Sequence, residues 1–142
     1  MDQPGQAPLG VDRRLRERLD TLGQEFLAQI LRTETEIHPG NLEALAGLAH
    51  SLTELGRLEE GLAVDRRLVA LTPDDYNARY NLACSLALLG RTEEALDTLD
   101  LAVALGYDDV DHLLGDSDLD ALRGEPRFKA LARRLAGADK TV

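Results

Sequence analysis

The chain has 142 residues, 44% of them apolar but only 4% aromatic, so a core of one domain must be built from Leu, Ala and Val, which favour helix over strand. Its net charge of −10 argues against nucleic acid, because phosphate binding needs a basic face. The single cysteine, Cys84, rules out an internal disulfide, and no run reaches the ~18 apolar residues of a membrane span.

Residues 1–10, "MDQPGQAPLG", are polar and rich in Pro and Gly. They read as a flexible N-terminus without the basic and apolar regions of a secretory signal, and a cytoplasmic location is expected. Fourteen of the sixteen basic residues are Arg, a bias that fits a GC-rich bacterial genome. The first element lies within residues 11–40. Leu15, Leu19, Leu22, Phe26, Ile30 and Ile37, with Thr33 in the gap, follow steps of 4, 3, 4, 4, 3 and 4. That spacing predicts one helix over 12–37 with an apolar stripe. A turn at Gly23, with Thr21 as N-cap and Gln24 three residues on, is the alternative. The single helix is favoured, because a mid-helix glycine costs only ~1 kcal/mol. A rod of about 26 residues spans roughly 39 Å and should overhang its neighbour. Its stripe must be covered, either by the next helices or by a second copy. Overhanging apolar surface points to a homodimer through Leu15, Leu19, Leu22, Phe26 and Ile30.

Residues 42–75 laid over 76–109 match at 16 of 34 positions without a gap. "LGRLEEGL" at 55–62 returns as "LGRTEEAL" at 89–96. Each copy reads as two helices. Leu45, Leu48, Ala49 and Leu52 follow helical spacing up to Gly56, and Leu62, Leu68 and Leu71 follow it up to Pro73. The predicted spans are 42–55, 59–71, 75–89 and 92–105. Asp74 or Asp75 should cap the third of these, Thr92 the fourth, with Gly90 and Gly106 as stops. The expected core includes Leu48, Leu52, Leu62, Leu68, Leu82, Leu86, Leu96, Leu99 and Val103.

A 34-residue helix–turn–helix period resembles the tetratricopeptide repeat, or TPR. The first copy offers Leu45, Leu48-Ala49, Leu52, Gly61, Asp65 and Pro73 at the TPR slots; the second offers Arg79, Leu82-Ala83, Leu86, Ala95, Leu99 and Tyr107. The resemblance covers 41–107 and implies a right-handed solenoid of antiparallel helix pairs. Asp65 and Arg79 stand where large packing side chains are usual, and each is costly if buried alone, so the two are expected to pair. In TPR stacks the first helices line a groove that holds a peptide. By this resemblance the groove takes Glu43, Ala46, His50 and Glu54 from one helix and Asn77, Tyr80, Asn81, Cys84 and Leu88 from the next. Tyr80 would be the anchor, and the acids favour a ligand bearing Lys or Arg. Chaperone-binding TPRs use a carboxylate clamp of Lys, Arg and Asn. Here only Asn81 matches it, with Ala46 and His50 in place of the Lys and Asn, so no tight binding of an acidic chaperone tail is expected.

The remainder, 108–136, resembles the terminal segment of bacterial TPR arrays, with "DLDALRGEPRFKAL" as its core. Helices near 108–114 and 126–136, with a turn or two over 117–123, would cap the open end of the stack. Phe128, Leu131 and Leu135 give the last helix an apolar face, and 137–142 form a tail. From Arg91 to Glu125 there are eleven acids against two arginines, whereas 126–142 carry five basic residues against Asp139. The acid run reads as a solvated surface, or as a field steering basic partners.

Catalytic constellations are absent from the sequence: no phosphate loop, no Gly-x-Ser-x-Gly and no His-Glu-x-x-His. "DSDLD" at 116–120 begins like a calcium loop, but Ala121 replaces the glycine and Arg127 the final glutamate. His50 and Cys84 occupy equivalent sites and could face each other, yet a third ligand or reactive group is not evident. The expectation is a non-enzymatic protein-binding module without cofactor or metal, with assembly through the N-terminal helix as the alternative.

Overall fold

A computed structural model describes residues 12–138; the expected flexible stretch at 1–10 and the end of the tail, 139–142, lie outside the described residues. The described chain is all helical, and its helices pack in neighbouring pairs. In order they are α1 (Arg13–Ile37), α2 (Leu42–Glu54), α3 (Leu58–Leu71), α4 (Tyr76–Leu88), α5 (Thr92–Ala104), α6 (Val110–Gly115), a 3-10 helix (Ser117–Leu122) and α7 (Pro126–Ala138). Each lies within two residues of the predicted span, and α7 extends into the expected tail. None is long and apolar enough to cross a membrane.

Local chemistry explains the boundaries. Side chains of Asp12, Asn41 and Asp75 accept from the first free N–H groups of α1, α2 and α4, as N-caps do. The expected cap Thr92 is instead the first residue of α5, and neither α3 nor α5 has a side-chain cap. Glu59, Glu60, Glu93 and Glu94 sit in their first turns, where carboxylates favour the positive end of the helix dipole. The repeated "LGR" phrase is a C-terminal turn. Gly56 and Gly90 adopt φ of 75° and 74°, which glycine enters without steric cost. Beyond them, the Arg57 and Arg91 N–H groups donate to Leu52 and Leu86 carbonyls at 2.9 Å, closing a Schellman motif. Such short connections return each second helix along its partner.

Two connected layers of core follow from the repeat. Leu45, Leu48, Leu52 and Leu68 form one cluster with Ala28 of α1. Leu82, Leu86, Leu96 and Leu99 form the other with Leu62, Leu113, Leu119, Leu122, Phe128, Leu131 and Leu135. The C-terminal segment thus seals the second layer with the apolar face expected of α7. Of the expected core residues only Val103 is half-buried, packed on the edge of this cluster.

Salt bridges repeat as well. Arg32–Glu60 recurs 34 positions on as Arg66–Glu94, and Arg57–Glu25 as Arg91–Glu59. The C-terminal half of α1 therefore meets α2 and α3 much as α3 meets α4 and α5. Its contact face is Ala28, Leu31 and Thr35; Leu31 fits because Gly47 opposite has no side chain. Gly23 lies inside the helix with open space around it, so α1 continues without a turn. The apolar stripe is not covered by α2, as an end cap would require: Leu15, Leu19, Leu22, Phe26, Ile30 and Ile37 are all exposed.

Asp65 and Arg79 do not pair. Asp65 is 5% exposed and accepts from the Ser85 hydroxyl, while Arg79 donates from Nε and Nη2 to the Pro73 carbonyl at 3.3 and 3.2 Å. Each found a nearer partner, Ser85 on α4 for Asp65 and the preceding loop for Arg79. Part of the acid run is also consumed internally, since Arg127 of α7 reaches Glu93, Asp97 and Asp100.

Candidate functional site

A cavity of about 150 Å³ opens where α2, α4 and the C-terminal segment meet. Ala46, Ala49, His50 and Thr53 line it from α2, Asp65 from α3, and Tyr80, Asn81, Cys84, Ser85 and Leu88 from α4. His112, Asp116 and Asp118 complete it from α6 and the start of the 3-10 helix. Six of the nine expected groove residues are brought together here: Ala46, His50, Tyr80, Asn81, Cys84 and Leu88. The repeat accounts for this, because positions 34 apart on α2 and α4 present equivalent faces. Glu43 and Asn77 are exposed in the first turns of their helices and do not line the cavity. Glu54 is exposed at the end of α2, outside the lining, though its charge still acts on Asp118.

Tyr80 is not an open anchor. It is 3% exposed, with its ring stacked on Tyr107 at 4.5 Å and 8° between planes. Its hydroxyl donates to Asp116 Oδ2 at 2.7 Å. Burial first, and this bond next, push its pKa up. The side chain is framework: it fixes the carboxylate that forms one wall.

Asp116 is the hub of that wall. Besides Tyr80, the Cys84 thiol donates to Oδ2 at 3.7 Å, and Oδ1 accepts the Asp118 N–H at 3.0 Å. His112 Nε2 stands 3.6 Å from Oδ2. Arg123 holds the segment by donating to the Leu114 and Asp116 carbonyls. Cys84 is buried, and burial, followed by the charges of Asp116 and Asp118, pushes its thiol pKa up. A thiol so placed stays protonated and is a poor nucleophile. Ligand atoms of Cys84, Asp116 and Asp118 lie within 4.8 Å of one another, a spacing that could hold a metal.

Asp118 is the cavity's one carboxylate without a hydrogen-bond partner among the described residues. Partial burial raises its pKa, as do the charges of Asp116, Glu54 and Asp120, with His50 acting the other way. Asp65 lies at the cavity's inner side; desolvation raises its pKa to about 6, the Ser85 hydrogen bond opposing this. Neither lysine nor arginine lines the cavity. Three carboxylates thus face it with only imidazoles as possible counter-charges.

The sequence reading missed His112, Asp116 and Asp118. The signal was the "DSDLD" phrase, whose first aspartate caps the 3-10 helix and turns its other oxygen toward α4. Comparison with models of known protein families finds no match. A search of curated proteins likewise finds no match.

Proposed function

We propose that the chain is a TPR-like solenoid of antiparallel helix pairs and acts as a non-catalytic binding module for a protein or peptide segment. The ligand lies along the side shared by α2 and α4 and places a Lys or Arg side chain in the cavity. The observation that carries this reading is the cavity's charge: Asp65, Asp116 and Asp118 face one small space with no lysine or arginine in its lining. Burying like charges without a counter-ion is unfavourable, so an incoming ammonium or guanidinium gains more here than at an exposed acid. His50, Asn81 and Leu88 supply adjacent polar and apolar contacts for the rest of a peptide. The buried Cys84 thiol, with no nucleophile–base pair among the described residues, favours binding over catalysis. A lone reduced cysteine suits a cytoplasmic setting.

The test is an immobilised peptide library probed with the full chain and with Asp118→Asn. Asp118 makes no side-chain hydrogen bond and its charge is disfavoured by burial and by Asp116, so the variant should melt no lower than the wild type. Binders enriched in Lys or Arg, and lost in the variant without any loss of stability, support the reading. Binders without a basic residue, or binding indifferent to Asp118→Asn, would overturn it.

A further inference from the structure

Helix α1 has two apolar faces with different fates. Ala28, Leu31 and Thr35 contact α2. Leu15, Leu19, Leu22, Phe26, Ile30 and Ile37 are all exposed, Phe26 at 69%. At about 100° per residue the two sets point roughly half a turn apart. The stripe therefore faces away from the rest of the described chain, and a partner can lie along it without displacing α2. Residues 12–23 are all exposed, and this half of α1 borders the rest of the described chain only at a hollow shared with Glu54 and Leu55. An apolar patch of this length on an exposed helix face marks an interaction surface.

We propose that the stripe pairs with that of a second copy, antiparallel, about a two-fold axis at Phe26. Spacing is the first argument. The stripe positions 15, 19, 22, 26, 30, 33 and 37 read 4, 3, 4, 4, 3, 4 in either direction. A reversed copy with Phe26 on Phe26 therefore sets Leu15 against Ile37, Leu19 against Thr33 and Leu22 against Ile30. Thr33 fits a seam position because its hydroxyl already donates to the Gln29 carbonyl at 3.1 Å. A symmetric pair of this kind is self-complementary and closes.

Charge is the second argument, and it selects the direction. Arg13 to Gln24 holds four arginines against Glu17 and Asp20; Glu25 to Ile37 holds three glutamates against Arg32. Parallel pairing lays like on like, whereas antiparallel pairing lays the basic half on the acidic half. Arg16 and Arg18, which flank the seam between Leu15 and Leu19, come beside Glu34 and Glu36 of the second copy. Arg13, Arg32 and Glu34 have partners in their own chain. Arg16, Arg18 and Glu36 make no ion pair among the described residues. Opposite charges flanking an apolar seam set partner orientation in paired helices.

The experiment uses the full chain in two parts. Sedimentation velocity from low to several hundred micromolar should give twice 15.5 kDa. Phe26→Glu should raise the dimer dissociation constant by about a hundredfold or more, since it buries two carboxylates at the axis. Its circular dichroism should not change, because Phe26 is exposed in the single chain. Orientation is read by mild oxidation. Chains carrying Leu15→Cys should cross-link to chains carrying Ile37→Cys, and Leu15→Cys alone should not cross-link. A monomeric mass throughout the range, or a dimer indifferent to Phe26→Glu, would overturn the interface. Efficient self-cross-linking of Leu15→Cys would overturn the antiparallel arrangement.

Discussion

Replacing Asp65 by Asn should stabilise the protein at neutral pH, and the gain should fade in acid. Asp65 is 5% exposed, and burial lifts its pKa from 3.8 to about 6. Its folded-state value lies above its unfolded one, so folding favours the neutral form. That contribution is complete below the unfolded pKa and is lost as pH rises through about 6. Ionised Asp65 costs about 3 kcal/mol near pH 7 and less than about 1 kcal/mol near pH 4. Asn keeps a carbonyl for the Ser85 hydroxyl and has no charge to desolvate. Urea unfolding of the wild type and of Asp65→Asn should therefore diverge by about 2 kcal/mol between pH 4 and pH 7, the variant being favoured at the higher pH. Taking the difference between the two proteins removes the titration of Asp118 and other acids. Parallel pH profiles would refute the reasoning, because they would mean that Asp65 is not desolvated by its place among α2, α3 and α4.

Tyr80→Phe should cost about 1–2 kcal/mol by removing the donor to Asp116 while keeping the ring stacked on Tyr107; equilibrium unfolding reads the loss. Tyr80→Ala should cost about 3–5 kcal/mol, so binding lost in that variant at reduced stability reports the framework and not ligand contact. In the folded protein Cys84 should resist iodoacetamide at mildly alkaline pH, since burial and the neighbouring aspartates keep it a thiol. Mass spectrometry that finds it alkylated as fast as a free cysteine would contradict the described wall.

Helix positions were legible because the same local chemistry occurs twice. Gly56 and Gly90, the paired glutamates after them, and leucines at helical spacing define each element without reference to the rest of the chain. The TPR resemblance suggested Ala46, His50, Tyr80 and Cys84 for one side, and the 34-residue shift makes Ala46 equivalent to Tyr80 and His50 to Cys84. It could not place Asp116 beside Tyr80. That contact joins the repeat to a segment outside it, 36 residues away, and no period extends there. Asp65 failed for a related reason: a buried carboxylate seeks the nearest donor, and the small hydroxyl of Ser85 leaves no trace in a hydrophobic pattern. The stripe of α1 was legible as a stripe, but its direction was not. Ala28, Leu31 and Thr35 form a second, weaker apolar face that the strong one hides, and that weaker face meets α2.

Nitrogen-15 correlation spectra of the full chain, titrated with a Lys- or Arg-bearing peptide from the library, test the binding account most directly. Saturable shifts are expected at His50, Asn81, Leu88, His112 and Asp118, with the α1 stripe unmoved. Shifts confined to α1 or α7, with the cavity residues silent, would contradict it.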